Sequence, residues 1–316
     1  MKTKVLVTGG AGFIGSHLVD ALLERGYHVR VLDDLSTGKM ENINHAIGQI
    51  DFVQGDLTDT GALRLAVKDI TGIFHLGAIP SVIRSIENPF ATHHVNVTGT
   101  MKLLVAAKEA GVKRLIFSSS SSVYGDSLVL PKTEDMALSP LSPYAASKAV
   151  GEYYCNVFHR VMGFPTVCLR YFNVFGPRQD PASFYAAVIP NFIAAFLNDQ
   201  QPTIYGDGEQ SRDFTYVQDV ALANIKAFEA DDSVCGESIN VAPGNSVSVN
   251  RLADMIGGLL GKPSNPTHVA PRAGEVRDSM AGNEKCKRFF NYVPNTPVDE
   301  GLQKTVAWYV DKANKG

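Results

Sequence analysis

Thr8-Gly9-Gly10-Ala11-Gly12-Phe13-Ile14-Gly15 follows an apolar run at 4–7 and opens an amphipathic stretch at 11–25. No other feature narrows the fold as much. A glycine turn leading from a strand into a helix is the context that a dinucleotide-binding fingerprint requires. Within it, Gly9 permits the tight turn and Gly12 lets the backbone approach a pyrophosphate at the helix N-terminus. Gly15 allows the helix to pack closely on the sheet. The same rhythm continues through 28–32, 50–54, 61–67, 72–76, 96–110 and 114–118. Short apolar runs alternating with longer amphipathic ones build a parallel sheet covered by helices on both faces. The expected class is α/β, a Rossmann-type doubly wound parallel sheet with a smaller C-terminal α/β domain.

Asp33 ends the second strand 18 residues after Gly15. An acidic side chain there accepts hydrogen bonds from both adenosine ribose hydroxyls and repels a 2′-phosphate, and no arginine follows immediately to receive one. The cofactor expected is NAD rather than NADP. Asp56, after the strand at 51–55, can face the adenine or serve as an ordinary loop carboxylate.

Tyr144 and Lys148 stand four residues apart in Ser142-Pro-Tyr-Ala-Ala-Ser-Lys148-Ala-Val-Gly-Glu152. On a helix this spacing stacks the two side chains one turn apart on one face. A free phenol titrates near ~10, but a lysine cation beside it favours the phenolate, and an oxidised nicotinamide pushes the same way. The pair can therefore make tyrosine a base. The spacing is also common on ordinary amphipathic surfaces, so its weight comes from the company it keeps.

Composition excludes several classes. A chain of 316 residues, 45% hydrophobic and 19% charged, buries a large core as one big domain or two unequal ones. The net charge of -3 gives no basic excess for nucleic acid or an anionic membrane. Cys155, Cys168, Cys235 and Cys286 are scattered without a C-x-x-C pair, which suits reduced thiols and no zinc site. His93-His94 is the only histidine cluster, and adjacent helical positions do not face one another, so no metal is expected. The first apolar run is too short and too glycine-rich for a signal peptide or a membrane span, so a cytoplasmic location is expected.

Together with the glycine loop and the Tyr144–Lys148 pair, two further motifs carry a family resemblance. They are Phe117-Ser-Ser-Ser-Ser-Ser-Val-Tyr-Gly125 and Leu169-Arg-Tyr-Phe-Asn-Val-Phe-Gly176. Over nearly its whole length the chain resembles the extended short-chain dehydrogenase/reductases that act on nucleotide sugars. Within them it is most similar to UDP-hexose 4-epimerases, especially those accepting N-acetylated sugars. The resemblance implies an NAD-binding domain over 1–170, to which segments at roughly 212–245 return, and a region at 171–316 that mainly binds the nucleotide sugar. It assigns Ser120, with Ser119 as the neighbouring alternative, to share the substrate 4-hydroxyl with Tyr144, while Lys148 holds the phenolate and the nicotinamide ribose. It also puts Phe13, Ile14, Leu57, Leu76, Ala78, Asn96 and Ser118 along the cofactor. Asn173, Arg212 and Arg272 would take the diphosphate and uridine ribose, Glu275 the ribose hydroxyls, and Val188 the uracil pocket. Ser279 would face the sugar C2 substituent, where glucose-restricted relatives tend to carry tyrosine, and Ser81 would hydrogen-bond an acetamido group. A serine leaves room for that group.

The implied reaction is reversible oxidation at C4 through a 4-ketose, with NAD tightly bound and not consumed. Related dehydratases carry carboxylates just beyond the serine, and UDP-glucuronate decarboxylases a glutamate before Val-Tyr-Gly; here the positions are Ser121 and Ser122. Without an acid or base there, elimination lacks its groups. A uronic acid 4-epimerase or a decarboxylase, with Arg84 or Arg277 on the anionic C6 group, stays open, as does a non-catalytic NAD-binding regulator. The stretches at 91–110 and 144–161 carry apolar residues on more than one face, and the resemblance implies a homodimer through a four-helix bundle.

Overall fold

The computed structural model describes residues 3–180, 188–271 and 277–315. Strand β1 (Lys4–Thr8) is buried from Val5 onward. Its side chains alternate between two cores, Val5 and Val7 in one and Leu6 in the other, as the two-residue strand period requires. After it come α1 (Phe13–Glu24), β2 (His28–Asp33), β3 (Ile50–Gln54), α2 (Thr60–Val67) and β4 (Gly72–His75). Then follow α3 (Val82–Glu87), α4 (Pro89–His93), α5 (Thr100–Glu109), β5 (Arg114–Ser120), α6 (Pro143–Met162) and β6 (Thr166–Tyr171). Buried on both faces, β4 and β6 read as near-continuous apolar runs rather than as alternation.

The second half comprises β7 (Val174–Phe175), α7 (Val188–Leu197), β8 (Thr203–Tyr205), β9 (Ser211–Asp213) and β10 (Thr215–Tyr216). It continues with α8 (Val217–Glu229), β11 (Ser238–Val241), β12 (Ser246–Ser248), α9 (Val249–Leu259), β13 (Thr267–Val269), α10 (Glu284–Phe290) and α11 (Val298–Lys315). Seven strands form one parallel sheet in the order β3-β2-β1-β4-β5-β6-β11, so the doubly wound class is observed. Between β1 and β4 the strand order reverses, and a crevice opens there outside the carboxyl ends. α8 packs beside α1 over one face, while α2, α5 and α6 cover the other. A third core gathers Phe192, Phe196, Tyr216, Leu252, Ile256 and Leu302 from α7 to α11.

One expected helix is built differently. Residues 96–110 belong to a longer rod in which a π-helical turn, His94–Gly99, joins α4 to α5. Such turns often lie at functional sites, and this one holds Asn96 against the 77–80 loop. His93 and His94 are exposed, and no metal-binding cluster occurs among the described residues. The four cysteines are free thiols. No helix among the described residues is long and apolar enough to cross a membrane.

Behind the crevice lies a buried, neutral histidine. His75 Nδ1 lies 2.8 Å from Thr8 Oγ1 and Nε2 2.8 Å from Thr100 Oγ1. Thr100 donates its proton to the Asn96 carbonyl, so it accepts from Nε2–H; Thr8 accepts from Gly77 N–H, so its own proton faces Nδ1. Burial, helped by the Lys148 charge, lowers the His75 pKa to about 3. The unfolded chain takes this proton below ~6.5 and the native one only near 3, so native stability should fall as pH drops through that window. Urea unfolding should register up to about 1.4 kcal/mol per pH unit from this group, and His75→Gln should remove that part of the slope.

Candidate active site

A cleft of about 1280 Å3 runs along the carboxyl edge of the sheet. It exceeds the ~300–1,000 Å3 of a pocket for one ligand. Every strand from β1 to β6 delivers candidate residues to this edge, because parallel strands end on the same side. At the end of β1, Gly9 adopts φ +69, a left-handed turn that glycine enters at little cost. A Cβ on Gly15 would lie 2.1 Å from the Gly9 carbonyl oxygen, which fixes how closely α1 approaches the turn. Gly12 caps α1 with no side-chain hydrogen bond, leaving the first amides of the helix clear for an anion.

Asp33, at the end of β2, accepts from Ala11 N–H and Leu35 N–H, both at 2.9 Å. Burial raises its pKa while those two hydrogen bonds lower it. Asp56 follows β3 and accepts from Thr58 N–H at 2.6 Å. Phe13, Ile14, Leu57, Leu76, Ala78 and Ser118 all line the same cleft. Asn96 stands one layer behind: its Oδ1 accepts from Ile79 N–H at 2.8 Å and its Nδ2 donates to Ser147 Oγ at 3.0 Å. It ties the loop after β4 to α6.

Ser142 caps α6 by accepting from Ala145 N–H at 3.1 Å, and Pro143 supplies the preset first turn. That fixes Tyr144 in the first turn of the helix, where the macrodipole favours an anion. Tyr144 is partly buried beside the Ser120 hydroxyl, and both line the cleft. Burial raises the phenol pKa; the Ser120 hydrogen bond opposes it. Ser120 accepts from Ser122 N–H at 3.2 Å and from Ser122 Oγ at 3.0 Å, capping the turn Ser121–Tyr124. One turn along α6, Lys148 is buried and donates to the Ser118 carbonyl at 2.7 Å, its ammonium 5.1 Å from the Phe117 ring centroid.

On the opposite wall, Asn173 has φ +28 and donates to the Asp213 carbonyl at 3.1 Å. Arg212, on β9, donates to the carbonyls of Ser211 and Arg277 at 2.9 and 2.8 Å. Ser279 N–H donates to the Ser211 carbonyl at 3.1 Å, which brings Ser279 to the cleft beside Arg212. Ser81 caps α3 and also lines the cleft. Val188 opens α7 and packs on the third core instead. Arg272 and Glu275 lie outside the described residues. Lys132, Arg178, Trp308 and Lys312 also line the cleft; they sit in no motif, and the sequence alone does not single them out. Arg178 pairs with Asp20 at 2.8 Å.

The profile described as the NAD dependent epimerase/dehydratase family matches residues 5–242. The chain belongs to that family. A UDP-glucose 4-epimerase of Mycolicibacterium smegmatis is 39% identical over 316 residues, spanning 98% of this chain and 99% of that protein. Among solved structures, a UDP-N-acetylglucosamine 4-epimerase from Methanobrevibacter ruminantium M1, in complex with UDP-N-acetylmuramic acid, is 43% identical with a TM-score of 0.94. It covers 99% of this chain and 100% of its own. A UDP-glucose 4-epimerase of Thermotoga maritima with UDP-glucose is 37% identical with a TM-score of 0.93, covering 98% and 100%.

In this epimerase/dehydratase chain the buried Lys148 has no carboxylate against its ammonium among the hydrogen bonds and ion pairs of the described residues. Burial lowers its pKa to about 8. Between 8 and the ordinary ~10.4 the native state binds fewer protons than the unfolded one, so stability should rise with pH across that window. Below it the charge costs stability in full. Lys148→Met should therefore raise the thermal midpoint at pH 7 and abolish the alkaline rise, as read by scanning calorimetry at pH 7 and 9.5.

Proposed function

We propose that this chain is an NAD-dependent 4-epimerase of UDP-hexoses that interconverts UDP-GlcNAc and UDP-GalNAc and also accepts UDP-Glc and UDP-Gal. The observation that carries the reading is the convergence of Ser120, Tyr144 and Lys148 in a cleft that also holds a dinucleotide cradle. A regulator that only binds NAD has no need of the three together. We infer that residues 1–170, with the returning stretch at roughly 212–245, hold the cofactor, and that 171–316 mainly hold the nucleotide sugar.

Gly9, Gly12, Phe13, Ile14 and Gly15 would take the pyrophosphate side of NAD, Asp33 the adenosine ribose and Asp56 the adenine end. Leu57, Leu76, Ala78, Ser118 and Lys148 would line it toward the nicotinamide, with Asn96 supporting the loop. When bound, NAD supplies the hydride acceptor and donor for the sugar C4 and, in its oxidised form, a positive ring near the phenol. Tyr144, as phenolate, takes the proton from the sugar O4 and later returns it. Ser120 holds that oxygen, and Lys148 supplies the positive charge that favours the phenolate. Burial raises the phenol pKa, so the charges around it have to overcome desolvation. Tyr144→Phe removes the proton acceptor and should lower kcat by 10²-fold or more.

Asn173 and Arg212, together with Arg272, would anchor the diphosphate and uridine ribose, with Glu275 on ribose hydroxyls. Guanidinium forks suit phosphate oxygens. A firm nucleotide grip lets a 4-keto sugar turn its other face while staying bound. Ser279 and Ser81 support the N-acetyl preference. A serine in place of tyrosine frees about the volume of an aromatic ring beside C2, and the solved M. ruminantium relative acts on UDP-N-acetylglucosamine. Steric exclusion of that size separates substrates more sharply than one lost methylene.

Incubation with UDP-GlcNAc, UDP-Glc, UDP-GlcA and UDP-GlcNAcA in parallel, with products identified by NMR, tests the reading. Epimerised N-acetylhexosamine is expected. Release of CO2 with a pentose product would make the chain a decarboxylase, and turnover of uronic acids alone would make it a uronate epimerase. Ser279→Tyr should suppress N-acetyl turnover at least ~10-fold while sparing UDP-Glc.

A homodimer belongs to the same proposal. Tyr153, Val157 and Val161 recur every fourth residue on α6 and are 60%, 48% and 78% exposed. Ile86 and Phe90 stand exposed on α3 and α4, which pack on α6. Sedimentation should give a dimer for the native chain and a monomer for Val157→Asp/Val161→Asp.

A further inference from the structure

Tyr144, Lys148 and Glu152 recur every fourth residue along α6, and each meets one serine of β5 in turn. Ser120 lies at Tyr144, Ser118 receives Lys148, and the Ser119 hydroxyl donates to Glu152. Across β5, Ser119 is paired in register with Arg170 of β6. Arg170 grips Glu152 with two hydrogen bonds, Nε to Oε1 at 2.9 Å and Nη2 to Oε2 at 2.7 Å. Both side chains are 5% exposed. Ser238 Oγ adds a bond to Glu152 Oε2 at 3.0 Å, and Arg170 Nη1 donates to the Tyr124 hydroxyl at 2.8 Å. Tyr124 in turn donates to Asn240 Oδ1 at 2.6 Å. A buried ion pair is a poor way to gain stability, because desolvation offsets much of the attraction. Its position one turn from a buried lysine suggests a different use.

We propose that Glu152 and Arg170 are positioning residues of the reaction, and that Arg170 keeps the Glu152 carboxylate from pairing with Lys148. Lysine and glutamate four apart on a helix are within pairing reach, and the Lys-before-Glu order here is the weaker of the two. Were they to pair, the field of the ammonium at Tyr144 would be cancelled. Arg170 occupies both carboxylate oxygens, so Lys148 rests on a neutral carbonyl with its charge uncompensated. The other titratable groups facing this cluster are few. Lys148 is faced by His75 of β4 and Cys155 of α6, and Glu152 by Cys168 of β6. Arg170 is faced by Tyr124 and by the carbonyl of Glu134, whose carboxylate accepts from Asn240 N–H. His75 is neutral above about 3. The Cys168 thiol is pushed up by its hydrogen bond with Cys155 and by burial, and Tyr124 is raised to about 12 by burial. Among the described residues, the full charges of this cluster near neutral pH are therefore Lys148, Glu152 and Arg170, with the Glu134 carboxylate on the far side of Tyr124.

This inference rests on Tyr144 as the proton acceptor, and its test separates the two ideas. In the NAD-loaded enzyme, the Tyr144 phenol is titrated by ultraviolet absorbance, each background being read against the same background carrying Tyr144→Phe; the pH profile of kcat is recorded alongside. Arg170→Gln frees Glu152 for Lys148 and should raise the Tyr144 midpoint by about one pH unit or more. Glu152→Gln, which keeps the shape, leaves an extra positive charge and should lower it. The double substitution should return the midpoint to the wild-type value. Unchanged midpoints, or shifts of the same sign in both single variants, overturn the proposal and leave a purely structural pair. If Arg170→Gln does not fold, Glu152→Gln decides alone: an unchanged or raised midpoint overturns it. Turnover by Tyr144→Phe would instead sink the base assignment, while midpoint shifts of opposite sign would still support the partition of charge.

Discussion

All seven strands of the main sheet run in one direction, and their carboxyl ends therefore share one edge. The order of strands reverses between β1 and β4, so a crevice opens at that edge. The rest of the site depends on this constraint. The glycine turn, Asp33, Asp56, the 76–78 loop, the serine row and Asn173 each lie at or just past the carboxyl end of a successive strand. Residues more than a hundred positions apart meet because the sheet lays their strands side by side. Thr8 and His75 are direct register partners, as are Ser119 and Arg170.

Within that frame the governing electrostatic choice is a lysine buried without a carboxylate. Burial lowers the Lys148 pKa to about 8, so keeping it charged at neutral pH is unfavourable to the native state, while the capped N-terminus of α6 fixes Tyr144 one turn away. His75, beneath the ammonium, remains neutral and adds no competing charge. The neighbouring acid on the same face, Glu152, is taken by Arg170. Local spacing sets which groups are near one another; burial decides which of them stay charged.

The opposite wall is assembled from short pieces rather than long strands. β9 pairs antiparallel with β12, and the segment from Arg277 to Ala281 lies along it. Ser211 bonds Asp278 at 2.7 Å, and Asp213, fully buried, accepts from Gly244 and Ala281 N–H at 3.1 and 3.0 Å. These two carboxylates fasten the segment at both ends and hold Ser279 opposite Arg212. Burial lifts the Asp213 pKa to about 7 against those backbone donors. A wall tied by backbone hydrogen bonds on short strands leaves its selectivity to a few side chains.

Much of the fold was legible in the sequence because it rests on local pattern. The glycine turn, the apolar periodicity and the four-residue spacing of Tyr144 and Lys148 act over a few residues, and each has a steric or helical cause that the local residue order expresses. Other features were not legible. The family resemblance puts Asn96 along the cofactor, whereas the fold sets it one layer behind, in a π-helical turn whose partners are Ile79 and Ser147. Val188 faces an apolar core because α7 buries that side. Nothing near Glu152 in sequence announces Arg170, and nothing near Lys148 announces the Ser118 carbonyl. The sequence by itself determined the sheet, the dinucleotide cradle and the phenol–lysine pair, since those follow from chirality, sterics and helical period. Which charges are paired, which stay free and which residues reach the cleft was decided by tertiary structure, because desolvation and long-range hydrogen bonds exist only once distant strands lie side by side.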